Sequence, residues 1–228
     1  MTTSTATTLA LWEALAGASP VLAGAALLHA RGDAPSLAAA CDLPLAAAAA
    51  AAVGQLRQRC GDHLDTVAAC PSCSARLEVA LPLRDLDEHT RAWPATRTVG
   101  TRTVRSPTTR DLAAALTTDD PASTLRASCA ALDDAATEQE RQAVLTAAED
   151  LCGAADLSVR VTCPECGHTP RVDVDPVALL TDQLATESAA VLQDVAELAA
   201  AYGWREAEIL DLSPARRAAY LSLARGRR

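Results

Sequence analysis

The 228-residue sequence contains no phenylalanine and no lysine, a single methionine, and only three tryptophans and two tyrosines. Without large rings its core must be filled by small aliphatic side chains, and the apolar half of the chain is mostly Ala with Leu and Val. Alanine has the highest helix propensity and lets backbones approach, so such a core points to closely packed helices. Long apolar runs are missing too. The longest, from Leu43 to Gly54, falls short of the roughly 18 to 20 residues that span a bilayer, and the opening "MTTSTATTLALWEALAG" lacks the positive region of a signal peptide. These absences lead us to expect a cytoplasmic protein with no membrane insertion. Basic charge is sparse: 20 arginines face 29 acidic residues, for a formal net charge of −9. A chain this acidic offers no obvious surface to a phosphate backbone, so protein partners are expected and nucleic acid is not. Walker A, GxGxxG, GxSxG and HExxH patterns are all lacking, and Asp85 to Thr90 reads as a charged turn, so no enzyme is expected.

Eight cysteines stand out against this background. In a reducing compartment they read as metal ligands and buried thiols and not as four disulfides. Two occur in "ACPSC" (Cys70 and Cys73) and two in "TCPEC" (Cys163 and Cys166), with 89 residues between Cys73 and Cys163. A CPxC turn can point two thiolates at one metal while its backbone N–H groups stabilise their charge, and two such turns complete a tetrahedral site. This spacing predicts one structural Zn2+ per chain held by Cys70, Cys73, Cys163 and Cys166. A four-thiolate site leaves no open position for catalysis at the metal. Iron remains open as an alternative ion. So do two other readings: reduced thiols left from a lost site, and a redox CxxC. His168 could replace a thiolate, and Cys60 with His63 forms another C-x2-H pair that reads more simply as a helix end and a turn. Cys41, Cys129 and Cys152 have no ligand spacing and read as small core residues.

The flanks of the cysteines set the fold class: α+β, mainly helical, with a split zinc ribbon of short antiparallel strands. Residues 1–63 read as a helical N-terminal segment, with three helices between 9 and 60 broken at Ser19-Pro20, Arg31 to Ser36 and Leu43-Pro44. Residues 64–110 hold the first knuckle, a strand in "LEVALPL", and extended structure bending at Gly100. Residues 111–156 form a helical insertion: a helix with Leu112, Ala115 and Leu116 on one face, another from Pro121 to Leu132, and a third capped by Thr137 and stopped by Gly153. Residues 157–176 place the second knuckle between two strands. From 177 to 228 the chain is helical again. An apolar stripe through Val177, Leu180, Leu184, Val191, Val195, Leu198 and Tyr202, interrupted by Ser188, ends near Gly203. A short helix spans Arg205 to Leu210, and a last one starts at Ser213-Pro214. Tyr202 and Trp204 read either as a cap on the protein's own core or as an interface anchor. Arg216, Arg217, Arg225, Arg227 and Arg228 read mostly as helix C-terminal charge and a frayed tail.

Taken in order, "LALWE", "CPSCSARLEVALPL", "VRSPTTRDLAAAL", "LSVRVTCPECGH", "VDVDP" and "LAAAYGWREAEILDLSPARRAAYLSL" resemble a family of baseplate-associated proteins from contractile phage tails and phage-tail-like injection systems. That family is distantly similar to the T4-type phage baseplate proteins. The resemblance implies a non-enzymatic structural component or assembly factor acting through other baseplate or tail proteins. It maps the four knuckle cysteines as ligands and Ala201 to Leu210 as a contact segment. Two alternatives of other classes are a zinc-ribbon regulator binding nucleic acid or polymerase, and a thiol-disulfide enzyme.

Overall fold

The computed structural model describes residues 4–130, 136–153 and 157–226. Alanine-rich stretches become helices and β-branched ones become hairpins. In chain order the elements begin with α1 (Thr5–Ala16), α2 (Ala23–Ala30), α3 (Leu37–Ala40), α4 (Leu45–Cys60), β1 (His63–Ala69), β2 (Arg76–Pro82) and α5 (Leu83–Ala92). The insertion follows with β3 (Thr96–Val99), β4 (Arg102–Arg105), α6 (Thr109–Ala115), α7 (Pro121–Cys129) and α8 (Glu138–Cys152). The chain closes with β5 (Leu157–Arg160), β6 (Arg171–Val174), α9 (Pro176–Tyr202), α10 (Glu206–Leu210) and α11 (Pro214–Arg225). The mixed, mainly helical class is as expected, and each sheet is one antiparallel pair: β1 with β2, β3 with β4, β5 with β6. Among the described residues no helix is long and apolar enough to cross a membrane.

Contacts group the chain into two units, one of Ala18–Leu180 and one of Met1–Gly17 with Thr181–Arg228. In the larger unit α4 lies against α2, α5 and β1. Its alanines permit this: a Cβ added to Gly24 of α2 would meet the Ala48 Cβ at 2.8 Å, so only glycine allows the two helices to come this close. Strand β2 buries Leu77, Val79 and Leu81 on its inner face and exposes the residues between, the period-two pattern of a half-buried strand.

Two readings of this region change. Asp85 to Thr90 is helical, inside α5, and its inward stripe is Leu83, Leu86, Asp87 and Thr90 at helical spacing. The stripe escaped notice because half of it is polar. Asp87, 3 % exposed, is held by Arg57 of α4 at 2.9 Å and Arg91 at 2.8 Å, which is how a buried carboxylate is tolerated. The second change is β1: a strand precedes the first knuckle as well as following it, and its alternation was hidden by Thr66 and Ala68 on the inner side.

The insertion has a core of its own. Val104 of β4, Cys129 and Ala130, and Val144, Ala147, Ala148 and Leu151 of α8 form a buried cluster, with Trp93, Val99 and Cys152 packed on it. The expected bend at Gly100 is the two-residue turn of the β3–β4 hairpin, with Gly100 at φ +61°. Leu116 does not share the buried face of Ala115; α6 ends first, and Leu116 is exposed. The end expected for the following helix, Leu132, lies outside the described residues.

In the smaller unit Val195, Leu198, Ile209 and Leu221 form the core cluster, with Tyr202, Trp204 and Tyr220 packed on it. Tyr202 stacks on Trp204 at 4.8 Å, Tyr220 meets Trp204 edge-on at 4.8 Å, and the Tyr202 hydroxyl donates to the Tyr220 carbonyl. The rings therefore serve the unit's own core. Ser188 is fully buried within α9, and its hydroxyl has no partner. Of the arginines, Arg216 and Arg217 sit in the first turn of α11, not at a helix C-terminus, and Arg217 is buried and donates to Thr5 of α1. Arg225 does lie in a last turn and pairs with Glu197; Arg227 and Arg228 fall outside the described residues.

Asp111 ties the insertion together. Its carboxylate accepts from the Thr108 backbone at 2.9 Å in a capping box, and pairs with both terminal nitrogens of Arg105, which also donates to the Ser128 carbonyl of α7. Burial alone would push Asp111 up, but Arg105 and Thr108 outweigh it and hold the group at about 2. Because this lies below the ordinary carboxylate value near 3.9, the network stabilises the fold fully above about pH 4 and is lost as pH falls towards 2. Asp111→Asn should lower the unfolding free energy at pH 7 by about 1–2 kcal/mol in urea titrations followed by circular dichroism. The deficit should shrink below pH 4; equal stability of the two proteins at pH 7 would refute the role.

Candidate metal centre

Each CPxC phrase forms the tip of a β-hairpin. The first lies between β1 and β2 and the second between β5 and β6, and the two tips repeat one backbone pattern. The Cys70 N–H donates to the Ala75 carbonyl at 2.9 Å and the Cys163 N–H to the His168 carbonyl at 2.8 Å. In return, the Ser74 N–H donates to the Cys70 carbonyl at 2.8 Å and the Gly167 N–H to the Cys163 carbonyl at 3.0 Å. Closing so tight a turn requires a left-handed residue immediately after the second cysteine of each phrase. Gly167 supplies it at φ +71° and Ser74 at φ +60°, the latter being the one non-glycine residue with positive φ among those described.

The two tips converge. Cys70 Sγ lies 3.8 Å from Cys166 Sγ, Cys73 Sγ lies 3.7 Å from Cys163 Sγ, and all four sulfurs are within 4.8 Å of one another. A single ion with metal–sulfur bonds of about 2.3 Å sets tetrahedral ligands about 3.8 Å apart, so these residues fit one metal ion with four thiolates. The separations are far too long for disulfides, whose sulfurs are bonded at about 2.05 Å. Each phrase gives one buried cysteine, Cys70 or Cys163 at 1 % exposure, and one exposed, Cys73 or Cys166.

The two thiols of the first phrase are shifted in opposite directions. Burial pushes the Cys70 thiol up, but the N–H groups of Ser72 and Cys73 and the neighbouring thiols outweigh it and hold Cys70 at about 7. The Ala75 N–H pulls Cys73 down, yet the Cys166 thiol, burial, and the thiols of Cys163 and Cys70 push it up to about 12. One proton leaves readily and the next is resisted, because Cys73 is raised by the three thiols around it and by burial. A cation at the centre reverses that preference, so binding releases protons and strengthens as pH rises.

His168 takes no part through its side chain; it is exposed and contributes only its carbonyl. Cys60 ends α4 and His63 opens β1, as a helix end and turn, and neither belongs to the cluster. Cys129 is a core residue at 2 % exposure, whereas Cys41 and Cys152 are only half-buried. Cys152 packs on the buried cluster that contains Cys129, and each thiol shifts the other's titration, a neighbourhood that sequence reasoning missed. A signal existed: Arg126-x-x-Cys129 and Glu149-x-x-Cys152 place opposite charges one turn before each cysteine, and those charges pair at 2.9 Å.

The left-handed serine makes the first tip testable. Ser74→Gly removes a backbone cost of about 1 kcal/mol and should stabilise the protein by that order, while Gly167→Ala should destabilise it similarly, since a Cβ at Gly167 meets no atom and only its φ objects. Thermal unfolding of the two variants checks this; a destabilised Ser74→Gly would refute the equivalence of the tips. Compared with protein families, with curated proteins and with solved structures, the chain matches none of them.

Proposed function

We propose that Cys70, Cys73, Cys163 and Cys166 hold one structural Zn2+ in a split zinc ribbon, and that the chain is a structural or assembly component of the baseplate of a contractile phage tail or phage-tail-like injection system. The observation that carries the metal reading is the convergence of four sulfurs from two hairpin tips at tetrahedral spacing. Four thiolates suit zinc, and a saturated site suits architecture, not catalysis. Bound there, the ion closes the long chain segment between the tips and contributes its binding free energy to folding.

The baseplate reading rests on the order of sequence phrases given above. It is consistent with a protein of net charge −9 that acts through protein contacts at its assembly site in the cytoplasm. Within Ala201 to Leu210 the rings of Tyr202 and Trp204 face their own core, so contact with another baseplate protein falls to the exposed stretch Arg205 to Glu208.

Two measurements test the two parts separately. Elemental analysis of the purified protein should find about one zinc per chain, and Cys73→Ser and Cys163→Ser should each abolish it, because either substitution opens the same site. Full zinc retained by either variant refutes a shared centre. Deleting the gene from a cell that makes contractile particles should leave sheathed particles unassembled under the electron microscope. An undiminished yield of complete particles would refute the baseplate role and leave the zinc site standing.

A further inference from the structure

Two cysteines outside the metal centre share one buried cluster of the insertion. Cys129 is the last residue of α7 and Cys152 the last of α8, and Cys152 packs on the buried cluster that contains Cys129. Each thiol shifts the titration of the other, Cys152 downward and Cys129 upward, as neighbouring thiols do. One turn earlier on each helix, Arg126 Nη1 and Glu149 Oε1 pair at 2.9 Å, so the helices are matched at two successive rungs. No third metal-capable side chain joins the pair, since the one such cluster among the described residues is the four-cysteine centre. The contact is thus a dithiol and not a second metal site.

We propose that Cys129 and Cys152 are a redox pair, closed by small disulfides such as glutathione disulfide into a reversible bond that fastens the end of α7 to the end of α8. The two thiols are unequal in a way that assigns their order. Cys152 is half-buried and Cys129 is 2 % exposed, so the small disulfide reaches Cys152 first. The neighbouring Cys129 thiol lowers Cys152 against its burial, with Arg126 acting in the same sense. Cys152 in turn raises Cys129, and burial adds to that. Cys152 as thiolate attacks one sulfur of glutathione disulfide, the S–S bond breaks, and one glutathione leaves as thiolate. That thiolate takes up the Cys129 proton. The Cys129 sulfur then attacks Cys152 Sγ in the mixed disulfide, forming the protein bond and expelling the second glutathione. Two protein thiols are oxidised and one glutathione disulfide is reduced to two glutathiones, with no other reactant.

The test is a peptide map of the protein as purified, incubated with glutathione disulfide, alkylated and digested with trypsin without reduction. Cleavage after Arg126, Arg141 and Arg160 puts Cys129 in peptide 127–141 and Cys152 in peptide 142–160. The expected product is these two peptides joined, two hydrogens lighter than their sum and separated again by dithiothreitol. In Cys129→Ser the reaction should stop at glutathione on peptide 142–160. The wild-type map decides the pairing even where that variant does not fold, and it reads the bond whatever metal the four-cysteine centre carries. Three results would overturn the proposal: Cys152 bonded to any other cysteine, Cys152 halted as a glutathione adduct in the wild type, or both thiols unmodified under conditions that modify the urea-unfolded chain.

Discussion

The larger unit is organised by one demand on the chain: after leaving Cys73 it must travel through 89 residues and return to bring Cys163 Sγ within 3.7 Å of Cys73 Sγ. A free loop of that length would have little reason to close so accurately. What lies between is not a free loop. It contains β2, which completes the first hairpin, then α5 against α4, then an insertion with its own buried cluster before the second hairpin begins. Each folded piece shortens the effective distance that the chain must find by chance. Two further fastenings hold the insertion to the helices before it: the Leu45 N–H bonds the Pro107 carbonyl at 2.8 Å, and Arg110 bonds the Cys41 carbonyl and pairs with Asp42.

Much of this was legible because local chemistry spoke for it. Thr137 and Ser213 cap α8 and α11 as their sequence positions foretold, and the stripe of α9 is buried at Leu180, Leu184, Val195 and Leu198. The four cysteines of the centre could be named from spacing and flanking alternation alone. What stayed hidden shares one cause, namely polar or very small residues in inward positions. Helix α5 turns Asp87 and Thr90 inward, and the inner face of β1 carries Thr66 and Ala68, so neither element showed the apolar period that betrays a helix or a strand. Long-range partnerships were equally silent. The grouping of α1 with the last three helices includes the Arg217 to Thr5 bond, and nothing local to the first residues announces it.

The shortage of aromatic residues shapes the two units differently. The smaller unit gathers Tyr202, Trp204 and Tyr220 in one place, three of the five tyrosines and tryptophans in the whole chain. The larger unit fills its interior with leucine, valine and alanine, and compensates for small side chains by bringing backbones together, as at Gly24 and Ala48. Charged groups supply what apolar area does not, and Asp87 and Asp111 each join separate elements through arginine. An arginine-only basic repertoire suits that use, because the planar guanidinium can bridge two acceptors at once.

The four cysteines are divided evenly between inside and outside. Because each hairpin gives one buried and one exposed cysteine, an ion at the centre would have a front and a back. Competing chelators could reach it only from the front, lifting Cys73 and Cys166 away before the back pair is disturbed, so its residence time would be governed by the opening of the hairpins and less by the strength of any single bond.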